Sequence, residues 1–482
     1  MGINKLFHIV FCIFIIAFAS CSDSDSVEDI INGNEGSEEE DEEIVIDTDF
    51  ITNTKDTIFE NAITIVYSND KVVITNPYES DGVTVTETNG NVVATSTNTT
   101  TEFNYVLSGN TSSGSFKIYS DLKFGLGFNG IDITSTDGPA INIQSEKKVT
   151  ITQVGGTFNR LIDSETYTPY EDEDMKGAFF SEGQLNFEGS GSLLVYGFNK
   201  HAICSDDYIR VKSGTIKVAT AVSDGIHAKD YFRMDGGVLD IKASSDGIDR
   251  SEGYIRLDAG TSNIKRDDDG IVASYEGPST SIDPYITIKD PVITIVTTGQ
   301  KAQGIKSDMS SVSVTGGTID IEVKGIASKA FKTRGDMTVS GGTLKLTTTG
   351  DAFYDTSDKD ISSAAGIKCD GNLTIADAMI NINSSGAGGK GISVDGDLII
   401  NSGTINVVTT GGQFKYGSDD TAAKAIKSDG NLTVNNGTIT IKTSGVEAEG
   451  LESKKTLTIK NGTIEIEAYD DCINASNHIE IN

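Results

Sequence analysis

Along most of this chain the apolar residues follow a repeating two-run pattern. Segments 309–325, 334–350, 395–411, 429–445 and 454–470 each hold two runs of alternating apolar and polar residues around a Gly-Gly, Ser-Gly or Asn-Gly pair. An apolar anchor accompanies each unit, at Ile203, Ile226, Ile248, Ile271, Ile305, Phe331, Ile367, Ile392, Ile426, Leu451 and Ile473. Alternation at period two predicts strands with Ile, Val and Leu facing inward and Thr, Ser, Lys and Asn outward. A step of 22 to 26 residues, holding three short strands and three turns, predicts one coil of a solenoid. The expected fold is all-β, a right-handed parallel β-helix, with the hand set by the crossover rule for parallel strands. Coils then stack about 4.8 Å apart, so residues one step apart lie above one another. A meander of antiparallel hairpins competes, because Gly-Gly and Asn-Gly also suit hairpin turns; position-matched anchors favour the helix.

Three steps are longer: 34 residues from Ile271 to Ile305, 36 from Phe331 to Ile367 and 34 from Ile392 to Ile426. The excess falls in 274–285, 351–365 and 412–425, which are expected to form loop insertions on one edge. They carry Tyr275, Tyr285, Phe353, Tyr354, Phe414 and Tyr416, either a ligand rim or packing of the loops onto their scaffold. Residues 51–110 lack a clean repeat and read equally as a cap or as the first coils.

Charge narrows the function. The 482 residues carry a net charge of -33, from 38 Lys+Arg against 71 Asp+Glu, which excludes nucleic-acid binding through phosphate contacts. Part of that charge is local. Residues 22–50 hold 13 acidic residues and no basic one, the composition of a solvated tether. Before it, Lys5 precedes an apolar run from Leu6 to Phe18, followed by Ala19, Ser20 and Cys21. That run is shorter than the roughly 20 apolar residues of a bilayer-spanning helix, and small residues before a cysteine resemble a bacterial lipoprotein signal. Residues 1–21 are therefore expected to be the signal, with Cys21 lipidated and membrane contact only through the lipid anchor. The acidic stretch after it is similar to surface-export signals of outer-membrane lipoproteins, so the expected location is the outer membrane, exposed at the cell surface. Residues 51–482 are the expected β-helical body.

Cys204, Cys369 and Cys472 are odd in number and far apart, which suggests buried small hydrophobes rather than a disulfide framework. No CxxC, HExxH or sequence-paired histidine occurs among the four histidines, which argues against a zinc enzyme.

Aligned on the anchors, Asp224, Asp246 and Asp269 stand two residues before, and Asp207, Asp230 and Glu252 four residues after. Stacked carboxylates repel unless protonated or bridged by a cation. Calcium, which accepts about six to eight oxygens in flexible geometry, answers this best. The candidate ligands are Asp224, Asp246 and Asp269, with Asp230 and Glu252; a second place lies near Glu449 and Asp471. Solvent-facing Asp-Gly turns are the plain alternative. Beside this column stand Tyr208 with Arg210, Tyr231 with Arg233 and Tyr254 with Arg256. Alternation puts each Tyr and Arg together on the outer face, an aromatic ladder beside a cationic stripe. A sugar ring can lie on tyrosine while guanidinium forks hold its carboxylate; alternatively, the arginines only neutralise neighbouring aspartates.

Segments 130–163 and 177–218, with the following SDGIHAKD and SDGIDRSEG turns, resemble the calcium-containing, right-handed β-helical carbohydrate-binding domains of bacterial extracellular proteins. The likeness covers 51–285 well and 286–482 through its repeats. It implies calcium in Asp-rich turns, here Asp224, Asp246 and Asp269, and binding of an acidic, pectin-like polysaccharide or of cellulose. His201 stands where later coils have Asp, so the column begins at Asp224. The expected function is that of a surface-anchored lipoprotein binding acidic or plant-type polysaccharide through calcium, without catalysis. One alternative is a pectate-type lyase with Arg233 or Arg256 as the base, against which the high pKa of arginine counts. The other is a structural adhesin with a protein partner.

Overall fold

The repeating coils contain three strands, whose lengths follow the apolar runs. In the coil beginning at Ile226 they are Ile226–Ala228, Tyr231–Met234 and Val238–Ala243. Repetition generates an anchor face, a short-strand face and a long-strand face. The computed structural model describes residues 59–482 except Asp70, Glu171, Asp172, Glu276 and Thr280, and these belong to the unit Ile51–Asn482. The expected lipoprotein signal with Cys21 and the expected acidic tether lie outside the described residues.

The expected columns are present. Ile203 pairs with Ile226, then Ile248, Ile271, Ile305, Phe331, Ile367, Ile392, Ile426, Leu451 and Ile473, all in parallel register. Inward residues of one coil, such as Ile226, Phe232, Met234, Leu239 and Ile241, are fully buried. A single coil cannot enclose that apolar surface, whereas stacked coils make one continuous core. The fold is thus an all-β parallel β-helix. Antiparallel pairing among the described residues is confined to four hairpins.

Two of those hairpins resolve the unclear start. Ile63–Ser68 folds against Lys71–Thr75, and Val83–Thr88 against Asn91–Ser96. One strand of each then pairs in parallel with the next coil, Ile63–Ser68 with Asn104–Thr111 and Asn91–Ser96 with Ser115–Ser120. The other strand covers an edge that would otherwise be open to pairing.

Glycine is required at two places in the coil. Before the long strands of three successive coils the chain turns through positive φ, at 86° for Gly214, 83° for Gly237 and 99° for Gly260, a region costly for residues with a Cβ. Before the anchor the constraint is space instead. A Cβ on Gly225 or Gly247 would lie 2.4 or 2.6 Å from the Cγ2 of Ile241 or Ile264. The Asp-Gly pairs of the anchor face therefore exist in part so that the chain can pass close to the core.

The insertions at 351–365 and 412–425 form the other two hairpins, Phe353–Asp355 with Asp360–Ser362 and Phe414–Tyr416 with Asp419–Thr421. They touch through Tyr354 and Tyr416, stacked with centroids 4.2 Å apart. Within 274–285, Tyr285 joins the site described below. Cys204 and Cys369 are buried and Cys472 is exposed, all three as free thiols.

Among the fully buried polar side chains of the described residues, Arg250 is the largest. Its Nε, Nη1 and Nη2 lack hydrogen-bond partners. Its register neighbours are Ala228 and Ala273, whose small side chains leave room for it. Burial pulls its pKa down to about 10. Replacing a buried, unpaired charge by an apolar chain of similar length is stabilising, so Arg250→Met is expected to raise unfolding stability by about 1–3 kcal/mol. A lower denaturation midpoint in this variant would contradict that account.

Asp163 sets a second expectation. It accepts hydrogen bonds from the Tyr167 hydroxyl at 2.5 Å and the Phe198 N–H at 2.6 Å, yet burial outweighs them and pushes it up to about 6. Because this lies above the unfolded value of about 3.9, folding takes up a proton between about pH 4 and 6, and stability falls as pH rises through that window. Relative to Asp163→Asn, the wild-type protein should lose about 2–3 kcal/mol between about pH 4 and 7. Parallel pH profiles for the two proteins would show that the carboxyl ionises normally.

Candidate functional site

The tyrosines and arginines of the short-strand face are brought into register. Strand alternation buries Ile209, Phe232 and Ile255 and turns Arg210, Arg233 and Arg256 outward, one per coil. Tyr208, Tyr231 and Tyr254 stack with centroids 4.4 and 4.9 Å apart and planes within 12°. Tyr285 extends the ladder at 5.0 Å from Tyr254 and 4°. It was legible only as an insertion aromatic, because the 34-residue step hides its register.

The stack changes the chemistry expected of the ladder. Rings this close cover one another's faces, so a sugar cannot lie flat on Tyr231 or Tyr254. The strip offers ring edges and hydroxyls at the coil spacing instead. Burial, followed by the neighbouring Tyr208 and Tyr254, pushes the Tyr231 phenol well above its usual range, so the hydroxyl stays protonated and able to donate.

The arginines are paired with neighbouring aspartates, as the alternative reading of the strip expects. Asp235 accepts from Arg210 Nη2 at 2.5 Å and Arg233 Nε at 2.5 Å, while Asp258 is 3.0 Å from Arg233 Nη2 and 2.8 Å from Arg256 Nε. Three guanidinium groups thus share two carboxylates, leaving donors and one net positive charge on the strip. Hydrogen bonding to Asp258 raises the pKa of Arg256 further, which disfavours that group as a proton acceptor. Asp207, Asp230 and Glu252 lie on the other side of the tyrosines. The third coil has one extra residue there, so the Glu252 N–H donates to Lys229 rather than to Asp230.

On the anchor face the aspartates stack as a ladder with the main chain. Asp224 Oδ1 accepts from the N–H of Asp246 at 3.0 Å, Asp246 Oδ1 from that of Asp269 at 3.1 Å, and Asp269 Oδ1 from that of Gln303 at 2.6 Å. Two separate clusters of ligand-type atoms result, each with its atoms within 4.8 Å of one another. One is Asp246, Asp268 and Asp269. The other is Asp224 with His201 and His227. Asp230 and Glu252 belong to neither.

The first cluster fits calcium by its chemistry. All its donors are carboxylate oxygens, and burial, together with the charges of Asp269 and Asp224, pushes Asp246 up to about 8. A hard cation would relieve that repulsion. The protein's own cations relieve part of it: the Lys306 amine is 3.1 Å from Asp269 Oδ2, and Arg266 Nε donates to the Asp268 carbonyl. Around Asp224, burial lowers the pKa of His201. For His227, burial acts downward but the carboxylates of Asp224 and Asp249 prevail and raise it to about 9.

Farther along the same column the charge changes sign, a feature missed by aligning only on aspartate. Lys329, Lys390 and Lys424 occupy the register position of Asp224, and Lys332, Lys368 and Lys427 that of His227. Lys329 and Lys390 are buried and support the hairpin arms. Lys329 donates to Ser362 Oγ at 2.8 Å, and Lys390 to Thr421 Oγ1 at 2.9 Å; burial brings both down to about 7. A cleft of about 920 Å³ lies beside the arms, lined by eight aspartates and six lysines, so it is not a cationic groove. Glu449 is held by Lys424 at 3.0 Å.

The family can now be stated. A profile of the family described as carbohydrate-binding domain-containing protein matches residues 88–316, 283–409 and 386–448, most of the chain, and the chain belongs to that family. A curated relative of the same description, from Acetivibrio thermocellus, is 30% identical over 158 residues, 32% of this chain and 52% of the relative. The chain therefore spans about half the length of that relative. A solved polysaccharide lyase-like protein from C. thermocellum, studied as a gadolinium derivative, is 22% identical, with 59% of this chain and 96% of that one aligned at a TM-score of 0.42.

Proposed function

We propose that this protein binds an acidic, pectin-like polysaccharide along the short-strand face, without catalysis, as a lipid-anchored protein displayed on the outer membrane. The observation that carries the reading is the strip of Tyr208, Tyr231, Tyr254 and Tyr285 beside Arg210, Arg233 and Arg256, repeated once per coil. A linear polymer presents hydroxyls and carboxylates at regular intervals, and a linear row of phenols and guanidinium forks is the matching array. Covered ring faces count against cellulose, whose flat surface calls for exposed aromatic faces. Calcium at Asp246, Asp268 and Asp269 would supply a cation that draws a polyanion to a protein of net charge -33.

Retardation in gels containing polygalacturonate tests the strip. Arg210→Ala with Arg233→Ala should weaken binding at least about tenfold, equivalent to the loss of one charge-assisted contact. Tyr231→Phe, which keeps the stack, should weaken it by a smaller factor. Asp235→Asn, which removes the carboxylate held by Arg210 and shared with Arg233, should strengthen it. Unchanged migration in all three variants would refute this face as the site. Growth of the ultraviolet absorbance of unsaturated uronides during incubation would overturn the non-catalytic reading.

Calcium has its own test. A chelator should reduce retardation of the wild-type protein, and Asp246→Asn with Asp268→Asn should make migration indifferent to chelator. Retardation that stays chelator-sensitive in that variant would place the calcium elsewhere.

A further inference from the structure

The fold brings together two histidines that are 26 residues apart in sequence. His201 and His227 lie on the anchor face of adjacent coils, stacked with centroids 4.5 Å apart and planes 21° apart. His201 precedes its anchor by two residues and His227 follows its own by one, so sequence alignment on the anchors assigns them to different columns. Asp224 lies at their meeting point. Its Oδ2 is 3.1 Å from His201 Nδ1 and 3.3 Å from His227 Nδ1, and Asp249 Oδ2 is 2.9 Å from His227 Nδ1.

These separations suit ligands of one ion. Nitrogen and oxygen atoms held about 2.0–2.2 Å from a metal at about 90–110° lie roughly 3.0–3.5 Å apart. The hydrogen bonding is correspondingly incomplete. His201 Nδ1 accepts only a long hydrogen bond, from the Asp224 N–H at 3.3 Å, which an ion beside Asp224 Oδ2, 3.1 Å away, would replace. His227 Nδ1 is buried beside two carboxylate oxygens, 2.9 and 3.3 Å away, yet makes no well-aligned hydrogen bond to either. His201 and Asp224 are 4% and 7% exposed, so neither is a mobile surface group that meets the other by chance. Imidazole nitrogens suit zinc-class ions and are poor ligands for calcium.

We propose that His201, Asp224 and His227 form a binding site for a divalent transition-metal ion of the zinc class, separate from the all-carboxylate cluster of Asp246, Asp268 and Asp269. Asp249 stands beside His227 as a further carboxylate able to join or orient the set. The ion joins two consecutive coils at the point where the Asp column begins, so its effect is to fasten one coil to the next. Cys204 is the register neighbour of His227 but lies outside the cluster, so no thiolate ligand is expected.

Titration of the whole chain with zinc or cobalt(II) tests the proposal. One ion per chain should bind at this site. The cobalt form should show visible d–d bands without a thiolate charge-transfer band, and zinc should raise the unfolding midpoint. His227→Ala and His201→Ala should each weaken binding by about 10–100-fold or more. Asp246→Asn with Asp268→Asn should leave it intact, which separates this site from the calcium reading. If the histidine variants do not fold, the wild-type cobalt spectrum still decides. Absence of d–d bands, or equal zinc affinity in His227→Ala, would overturn the site and leave an imidazolium held between two carboxylates.

Discussion

Main-chain hydrogen bonding between coils fixes a spacing of about 4.8 Å, and everything functional in this molecule is a consequence of it. A residue type that recurs at the coil step is forced into a column. If the residue is apolar the column becomes core, and Ile203 to Ile473 is that case. If it is tyrosine, the rings have no choice but to stack. If it is aspartate, like charges are placed next to one another and must find donors or cations. The aspartate column does this partly through the backbone, each carboxylate taking the N–H of the coil that follows.

The same constraint explains why the charged columns end. Carboxylates cannot be stacked indefinitely in a half-buried position. After Asp269 the column passes to Gln303 and then to lysines, and the amines are used to hold the arms at 353–362 and 414–421. The body is therefore divided along its axis. Early coils gather aspartate, histidine, tyrosine and arginine, and later coils support insertions that meet through Tyr354 and Tyr416. Membership of a carbohydrate-binding domain family is compatible with a scaffold of this kind, which carries side chains in regular rows.

How much was legible in the sequence follows from the same geometry. The anchors, the parallel register and the columns of Tyr208, Tyr231 and Tyr254 were readable because they depend only on the step. Three things were not. The identity of the acids that pair with the arginines depends on side-chain reach, and Asp235 and Asp258, two residues beyond Arg233 and Arg256, proved closer than the aspartates preceding the tyrosines. Use of ring faces depends on spacing, and 4.4–5.0 Å leaves no room between rings. The meeting of His201 and His227 depends on two different offsets from the anchor, which no single alignment shows. Arg250 was invisible for another reason: its place in the core rests on the two alanines that flank it in register.

The register itself can be measured most directly by cross-linking. Thr287 and Ser313 face outward on neighbouring short strands and are register partners, as are Ser313 and Thr338 in the next step. With the native thiols replaced, Thr287→Cys with Ser313→Cys places two Cα atoms about one strand spacing apart, within the range a disulfide spans. Thr287→Cys with Thr338→Cys places them about two spacings apart, beyond that range. Parallel stacking predicts rapid oxidation to an intramolecular disulfide in the first pair and none in the second, read by peptide mapping. Equal cross-linking of both pairs, or of neither, would contradict the columns from which the tyrosine ladder, the carboxylate and histidine clusters and the Tyr–Arg strip are built.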